Sequence, residues 1–183
     1  VILYICFFSL EDKMSCIFLD RDGVLNKSII KNGKPYAPRF FKDFELLEGI
    51  NETLKKIKYF NYKIAIFTNQ PDVKQFDYMY SEIDKMHNYI YQNLPIDYID
   101  VCFHTDEDMC ECRKPKSGML KRISKKLNIE LSSSKVVGDR WSDIKAGQNV
   151  GADCFFIDYK YNERRPDGKF TTINKLSDII NYL

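Results

Sequence analysis

The sequence predicts an α/β protein in which one parallel sheet carries helices on both faces. Short apolar runs alternate with longer amphipathic stretches along the chain. Such alternation favours parallel strands joined by right-handed crossovers, which place helices on both faces of the sheet. The 183 residues are 44% hydrophobic and 14% aromatic, which supplies a buried core and argues against intrinsic disorder.

The first half of the chain predicts two strands and two helices. Residues 15–20 form a short apolar run that ends in an acid, which is typical of a buried strand. Residues 24–41 contain a glycine and two prolines and predict a loop or a small hairpin. Apolar residues recur at helical spacing over 47–60, and residues 62–68 predict a second buried strand. Residues 76–94 predict a long helix with aromatic side chains on one side.

The second half continues the alternation to the end of the chain. Further strands are predicted at 98–104, 135–138 and 153–157. Further helices are predicted at 118–127, which is basic and amphipathic, at 141–150 and at 173–183. No internal repeat, low-complexity segment or linker separates these elements.

Composition and charge exclude several classes of function. Lys and Arg total 28 against 26 Asp and Glu, and this balance argues against a surface that coats nucleic acid. No apolar run reaches the roughly 20 residues that span a bilayer. Only two histidines are present, so chemistries that need several imidazoles are disfavoured. Of these, His87 lies in a predicted helix and is interpreted as a surface or half-buried residue.

The first ten residues are considered apart from the rest. Nine of them are apolar, but no basic segment precedes them and no small-residue cleavage site follows, as a signal peptide would require. The first methionine is Met14, and the patterned sequence begins just after it. We expect residues 1–13 to be an upstream extension, with an extra edge strand or packing arm as the alternative, and residues 14–183 to form a single domain.

Acidic and polar side chains gather at the ends of the predicted strands. They are Asp20, Asp22, Thr68, Asn69, Gln70, Asp139 and Asp143, together with Lys114 after the third strand. The carboxyl ends of parallel strands meet at one edge of a sheet, where ligands bind in such folds. Carboxylates are the ligands that Mg²⁺ prefers, and an ammonium binds phosphoryl oxygens. The sequence therefore predicts a magnesium-and-phosphate site.

The spacing Asp20-x-Asp22 fits a covalent mechanism. Asp20, at a strand tip, can attack phosphorus and form an aspartyl-phosphate. Asp22 can protonate the leaving oxygen and then activate water. Gly23 allows a sharp turn beside the metal. The alternative is that each acid caps a helix or is solvated in a loop, and the order of the whole set disfavours it.

These residues resemble the motifs of the haloacid dehalogenase (HAD) phosphohydrolase superfamily. The matching motifs are Asp20-x-Asp22-Gly23, Thr68-Asn69, Lys114 and Gly138-Asp139-x-x-x-Asp143. More narrowly, Leu19-Asp20-Arg21-Asp22-Gly23-Val24-Leu25-Asn26 and Cys112-Arg113-Lys114-Pro115 resemble the bacterial heptose-bisphosphate phosphatases and their histidinol-phosphatase relatives. The resemblance covers residues 15–157. It implies a Rossmann-like HAD fold with the first strand central.

The resemblance also implies a role for each acid. Asp20 would be the nucleophile and a magnesium ligand. Asp22 would be the acid and base and would give its carbonyl to the metal. Asp139 would be the third ligand, with Asp143 supporting the site.

Substrate contacts are implied in the same way. Thr68, Asn69 and Lys114 would hold the phosphoryl group, and Arg113 would contact the substrate. Arg140 stands where relatives often have lysine and could also meet the substrate.

Two features bear on access to the site. Residues 71–76 depart from the glycine-containing stretch with an arginine that many relatives have, which puts a substrate contact from this loop in doubt. The stretch between Asp22 and the first predicted helix is too short for an independent domain. We therefore predict an open site with no large cap domain.

A second motif, Cys102-x-His104-x₅-Cys110-x-Cys112, predicts a zinc-binding loop. Three thiolates and one imidazole make a closed tetrahedral zinc site of the structural kind, and the same subfamily often carries one. The alternative is a set of reduced loop cysteines with an incidental histidine, which four ligands in so short a segment disfavour. Metal-binding thiols indicate a reducing compartment.

Together these observations predict a cytoplasmic, Mg²⁺-dependent phosphatase with a structural Zn²⁺. The favoured substrate is a heptose 1,7-bisphosphate that loses its 7-phosphate during synthesis of nucleotide-heptose or surface-glycan precursors. The alternatives are a histidinol-phosphate phosphatase, a polynucleotide 3′-phosphatase and a zinc-stabilised interaction module without activity. The expected partner is a small phosphorylated sugar; membrane and nucleic-acid partners are not expected, and the chain is predicted to be monomeric.

Overall fold

Five strands of the structure, the first and the fourth to seventh along the described chain, lie where the sequence has its short apolar runs. The computed structural model describes residues 13–183, so the interpretation of residues 1–12 lies outside the described residues. The strands are β1 (Cys16–Leu19), β2 (Ile29–Lys31), β3 (Lys34–Tyr36), β4 (Lys63–Asn69), β5 (Tyr98–Cys102), β6 (Lys135–Gly138), β7 (Asp153–Ile157) and β8 (Thr171–Ile173). The α-helices are α1 (Ile50–Tyr59), α2 (Tyr78–Asn93), α3 (Gly118–Leu127) and α4 (Trp141–Gln148). None of the helices in this range is both long and apolar enough to cross a bilayer.

Six of the strands form one parallel sheet in the order β5-β4-β1-β6-β7-β8. Strand β1 pairs with β4 on one side and with β6 on the other, which confirms that the first strand is central. The chain moves outward from β1 to β5, then returns to β6 and moves outward on the other side. The order thus reverses beside β1, and in parallel sheets such a reversal leaves a crevice at the carboxyl ends of the strands, where ligands bind.

Helices cover both faces of the sheet, as parallel pairing predicts. Because successive strand residues point to opposite faces, Ile17 and Leu19 pack into one core with α1, the end of α2 and the C-terminal segment. Cys16 and Phe18 pack into the other core with α3 and α4. The predicted α/β class is confirmed.

A small hairpin formed by β2 and β3 lies between β1 and α1. The two residues of its turn, Asn32 and Gly33, both have positive φ, of 52° and 73°, as a tight two-residue hairpin turn requires. Within residues 13–183 no large cap domain is inserted after β1 or after β4, in agreement with the prediction.

The helix predicted at 173–183 is confirmed over most of its length, but it is a 3-10 helix and it begins later than predicted. The structure has a sixth sheet strand, β8, followed by a 3-10 helix over Leu176–Tyr182. The β-branched residues 171–173 favour a strand, but three residues are too few to show a period. Leu176 and Ile179 are both buried and three residues apart, which matches the 3-10 repeat. Asp178 fixes the start of this helix by accepting a hydrogen bond from the Asn174 amide at 2.9 Å.

The docking of this C-terminal 3-10 helix gives a prediction about stability. Ile179 is fully buried against α1 and the sheet, so Ile179→Ala should lower the free energy of unfolding by about 2–5 kcal/mol. The partly buried neighbour Ile180 is the control, and its alanine variant should cost clearly less. Urea unfolding of the two variants measures both values. Equal, small losses would show that this segment does not belong to the core.

Candidate active site

The buried ammonium of Lys114 lies at the centre of the polar cluster above the sheet. Its Nζ lies 2.7 Å from Asp20 Oδ1 and 2.7 Å from Asp143 Oδ1. It also donates a hydrogen bond to the Phe67 carbonyl at 3.0 Å. Burial lowers the pKa of Lys114, but the two carboxylates outweigh it and raise that pKa above its ordinary value. Lys114 is therefore a charged group inside the protein, held by three partners.

Three carboxylates converge on this ammonium. Asp20 follows β1, Asp139 follows β6 and Asp143 lies in the first turn of α4, and one oxygen of each lies within 4.8 Å of the others. Burial raises the pKa of Asp20 to about 7, against the effect of Lys114. Burial, and then the charges of Asp20 and Asp143, raise the pKa of Asp139 well above its ordinary value. The ionised cluster therefore carries excess negative charge that water does not solvate.

Local backbone geometry places these acids. A Cβ at position 138 would lie 2.2 Å from the Asp143 Cβ, so Gly138 lets α4 begin against the strand. The Arg140 amide donates to Asp143 Oδ2 at 2.9 Å, which turns this carboxylate back toward the sheet. Gly23 has a φ of +84°, and a Cβ there would lie 1.9 Å from Asp139 Oδ2. Glycine is needed at both positions because the backbone lies against an aspartate side chain, Asp143 at Gly138 and Asp139 at Gly23.

The donor set fits a divalent cation that prefers oxygen. Three carboxylates face a single ammonium, so two negative charges remain when all are ionised. Asp139 Oδ2 accepts a hydrogen bond from the Tyr161 hydroxyl at 2.9 Å, while Asp139 Oδ1 is buried without a hydrogen-bond partner. A buried oxygen without a partner is costly unless a ligand contacts it. Mg²⁺, with carboxylate ligands, matches this arrangement.

The carboxylate of Asp22 is held by a different set of donors. Its Oδ1 accepts from Arg21 Nε at 3.2 Å and from Asn26 Nδ2 at 2.9 Å. Its Oδ2 accepts from Arg21 Nη2 at 3.0 Å and from Gln70 Nε2 at 2.8 Å. Burial raises the pKa of Asp22, but Arg21 and the other donors bring it below its ordinary value. The side chain is therefore a carboxylate at neutral pH.

A small cleft opens between these groups and the β2–β3 hairpin. It encloses about 70 Å³, roughly two water volumes, which suits one phosphoryl group. Its walls include Asp20, Asp22, Thr68, Asn69, Lys114, Asp139, Arg140 and Asp143, as well as Ser28 and residues 35–37 of the hairpin. The structure thus brings together every predicted catalytic, phosphate-binding and magnesium-binding residue.

Within the cleft Thr68 and Asn69 differ in their contacts. Thr68 is buried, and its Oγ1 accepts a hydrogen bond from Gln70 Nε2 at 2.9 Å. The Asn69 side chain donates to the Lys114 carbonyl and accepts from the Lys114 amide, both at 3.2 Å. In this state Asn69 ties the Lys114 segment to the end of β4. A direct contact of Asn69 with a phosphoryl group stays a prediction.

The two predicted substrate arginines have acidic partners. Arg140 lies in the cleft wall, and Glu163 holds its guanidinium in a bidentate pair at 3.0 and 2.7 Å. Arg113 is absent from the cleft lining; it donates to Asp106 Oδ1 at 2.7 Å and to the His104 carbonyl at 3.2 Å. The position of Arg140 agrees with a substrate contact, and a contact by Arg113 stays a prediction.

The predicted zinc ligands come together beside Lys114. Cys112 Sγ lies 3.2 Å from Cys102 Sγ, 3.3 Å from Cys110 Sγ and 3.2 Å from His104 Nδ1. Cys102 Sγ lies 3.8 Å from Cys110 Sγ and 3.7 Å from His104 Nδ1. A tetrahedral zinc centre places sulfur and nitrogen ligand atoms roughly 3.5–3.8 Å apart. The two distances from Cys102 to Cys110 and His104 match this range, and the three distances from Cys112 are a few tenths of an ångström shorter. The four side chains are therefore close to the arrangement that one zinc ion requires.

Several site residues were not singled out from the sequence. Arg21 stands between Asp20 and Asp22, the two acids predicted to be catalytic, and a guanidinium at the tip of a buried strand could have drawn attention. Glu163 and Tyr161 come from the loop after β7, and no local pattern marks them. His87, interpreted as a surface or half-buried residue, is partly buried and lies 3.2 Å from Arg21 Nη1. Burial, and then the positive charge of Arg21, lower the pKa of His87 to about 3.

Known proteins that are similar in sequence to this chain are described as phosphatases. The family described as "Polynucleotide kinase 3 phosphatase" matches residues 16–170. D-glycero-alpha-D-manno-heptose-1,7-bisphosphate 7-phosphatase of Campylobacter jejuni is 33% identical over 176 residues, 93% of this chain and 96% of that protein. D-glycero-beta-D-manno-heptose-1,7-bisphosphate 7-phosphatase of Helicobacter pylori is 34% identical over 140 residues, 73% of this chain and 78% of that protein.

Solved structures show the same fold. The D,D-heptose 1,7-bisphosphate phosphatase of B. bronchiseptica, crystallised with magnesium and phosphate, has a TM-score of 0.75 and 24% identity. That comparison covers 92% of this chain and 97% of the other.

The close approach at Gly23 gives a prediction about metal binding. Gly23→Ala should displace the Asp139 carboxylate and weaken Mg²⁺ binding by about tenfold or more. Gly49→Ala is the matched control, because Gly49 also has a positive φ of 72° but a Cβ there meets nothing within 4 Å. Titration calorimetry with Mg²⁺ measures both affinities. The same Mg²⁺ affinity in the two folded variants would contradict the assignment of Asp139 to a cation site.

Proposed function

Because the chain belongs to the polynucleotide kinase 3 phosphatase family of HAD phosphohydrolases, we propose that it is a Mg²⁺-dependent phosphatase that removes the 7-phosphate of a heptose 1,7-bisphosphate. The observation that carries the proposal is the buried Lys114 ammonium between the carboxylates of Asp20 and Asp143, next to Asp139. The named activity of the Campylobacter jejuni and Helicobacter pylori relatives, which share about a third of their residues with this chain, supports the choice of substrate.

Asp20 is the proposed nucleophile. Its Oδ1 is engaged by Lys114 Nζ and by the Arg21 amide, both at 2.7 Å, so we assign the attack on phosphorus to Oδ2. A bond forms between this oxygen and phosphorus while the bond from phosphorus to the sugar oxygen breaks. Thr68 lines the cleft and accepts a hydrogen bond from Gln70, so its hydroxyl can donate to a phosphoryl oxygen. All three N–H groups of Lys114 have partners, so a contact between Lys114 and a phosphoryl oxygen replaces one of those three hydrogen bonds.

Magnesium would be held by the carboxylates of Asp20 and Asp139 and by the Asp22 carbonyl, with Asp143 supporting the site. When bound, Mg²⁺ neutralises the carboxylate cluster and the negative charge of the phosphoryl oxygens. The magnesium bound to the B. bronchiseptica enzyme, which has the same fold, is consistent with this assignment.

Asp22 is the proposed acid and base. Its four donors favour the carboxylate, which suits the second step, when Asp22 takes a proton from the water that attacks the aspartyl-phosphate. In the first step Asp22 must give a proton to the leaving sugar oxygen. The negative charge of a bound phosphate raises the pKa of a nearby carboxyl, so substrate binding itself favours protonation of Asp22.

The size of the cleft determines how a substrate is recognised. About 70 Å³ accepts the phosphoryl group alone, so the sugar and its second phosphate lie outside, between the hairpin and Arg140. Glu163 pairs with Nε and Nη2 of Arg140, so the second phosphate would meet the Nη1 side of this guanidinium. Histidinol phosphate offers a cationic amine instead. Since one chain supplies all of these groups, we propose that a monomer formed by residues 14–183 is active.

We also propose that a structural zinc is held by Cys102, His104, Cys110 and Cys112. The Arg113 amide points to Cys110 Sγ at 3.4 Å, so the backbone that leads into Lys114 begins at this centre. A zinc ion there fixes the approach of Lys114 to the cleft. Thiolate ligands persist in a reducing compartment, which supports a cytoplasmic protein.

A second candidate activity is hydrolysis of a 3′-phosphate on a polynucleotide, which the description of the matching family favours. The open cleft would admit a chain end. The net charge of +2 is small for a surface that binds a polyanion, which favours the sugar phosphate.

A substrate panel tests the proposed function. Phosphate release from both anomers of heptose 1,7-bisphosphate, from histidinol phosphate and from a 3′-phosphorylated oligonucleotide should give the highest kcat/KM for a heptose bisphosphate. Arg140→Ala should reduce activity on the bisphosphate by about tenfold and spare a sugar monophosphate, because only the bisphosphate has a second anionic group. Arg113→Ala tests the other predicted contact in the same way. A wild-type preference for either other substrate would overturn the heptose assignment.

Metal analysis tests the zinc proposal. The purified protein should contain about one zinc per chain. Cys110→Ser should lose zinc and raise KM, because the loop no longer holds the backbone that leads to Lys114. Cys16→Ser is the control, since Cys16 is a buried residue of β1 that does not belong to the group of four candidate ligands, and it should keep its zinc. A zinc-free wild-type protein with full activity would contradict the proposal.

A further inference from the structure

A histidine on α2 is linked to the proposed acid and base through a buried arginine. Arg21 Nε and Nη2 donate to the two oxygens of Asp22, at 3.2 and 3.0 Å. The remaining terminal nitrogen, Arg21 Nη1, lies 3.2 Å from His87 Nε2. The three side chains thus form one row from the helix to the cleft.

The chemistry of arginine fixes the state of this histidine. A guanidinium only donates hydrogen bonds, so His87 Nε2 must accept and its ring proton resides on Nδ1. The imidazole is then neutral, since a protonated ring would offer Arg21 only a second donor. His87 therefore acts as a hydrogen-bond acceptor for the far end of the guanidinium.

Because the Arg21 guanidinium is buried, loss of its contact with His87 would be costly. Arg21 is the largest fully buried side chain in residues 13–183, and its guanidinium has no water to replace a lost partner. Without an acceptor at His87, Nη1 would be unsatisfied, and the guanidinium could gain by tilting toward another acceptor. A tilt moves Nε and Nη2 away from the two Asp22 oxygens.

We propose that His87 is a positioning residue that acts through Arg21 to hold the Asp22 carboxyl where it protonates the leaving oxygen. This inference rests on the proposed function, because it assumes that Asp22 is the acid. It assigns a role in the reaction to a side chain that lies outside the cleft and does not touch substrate.

Comparing two substrates with different leaving groups distinguishes a role of His87 in positioning Asp22 from a general loss of structure. The oxygen of a sugar phosphate needs a proton to leave, whereas nitrophenolate leaves without one. Asp22→Asn should therefore lose about 10²–10⁴-fold in kcat/KM on heptose bisphosphate and much less on nitrophenyl phosphate. His87→Leu removes the acceptor and should show the same selectivity. Its kcat/KM should fall by about tenfold on heptose bisphosphate and should change little on nitrophenyl phosphate.

Two further variants keep the result decisive. His87→Gln can place an amide oxygen near the position of Nε2 and should restore most of the activity on the sugar phosphate. Ile90→Ala removes a side chain of the same helix that is buried in the apolar core and should affect both substrates equally. If His87→Leu loses the same factor on both substrates while Asp22→Asn is selective, the positioning role is wrong and the function stands. If Asp22→Asn loses the same factor on both substrates, Asp22 is not the acid, and the positioning role of His87 is wrong as well.

Discussion

The buried ammonium of Lys114 is the interaction on which the rest of the site depends. It joins Asp20 from the end of β1, Asp143 from α4 and the Phe67 carbonyl from β4, so three elements meet at one charge. Removing one partner of a buried ion pair costs about 3–5 kcal/mol because the other charge is left unsolvated. The placement of Lys114 in turn depends on Asn69 and on the Cys/His cluster next to it in the chain. The loop that carries the Cys/His cluster and the edge of the sheet that carries the carboxylates are therefore one mechanical unit.

The parallel sheet explains why the acids can share this site. Reversal of strand order beside β1 puts the ends of β1, β4 and β6 around one crevice, and burial there keeps water from the carboxylates. The excess negative charge of these carboxylates destabilises the folded protein when no cation is bound. The same charge favours binding of a divalent cation. The cleft beside these carboxylates is small, about 70 Å³, which agrees with the proposal that it receives a phosphoryl group.

Sequence patterns predicted the strands and most helices because each has a clear period or an apolar run bounded by polar residues. Asp20, Asp139 and Lys114 could be found because their spacing matches the superfamily motifs. The C-terminal strand β8 and the 3-10 form of the helix that follows could not be predicted correctly, because segments this short show no clear period of apolar residues. Glu163, Tyr161 and His87 reach the site only through tertiary packing, and no local spacing links them to Asp22 or Asp139.

In the proposed reaction, the phosphoryl group passes from the substrate to the Asp20 carboxylate in the cluster around Lys114. Mass spectrometry of peptides from acid-quenched Asp22→Asn protein, after mixing with Mg²⁺ and nitrophenyl phosphate, tests this transfer most directly. This substrate needs no acid for its leaving group, and loss of the base slows hydrolysis, so the intermediate should accumulate. We expect one phosphoryl group on the peptide that contains Asp20, at the Asp20 side chain. A phosphoryl group on any other residue would contradict it.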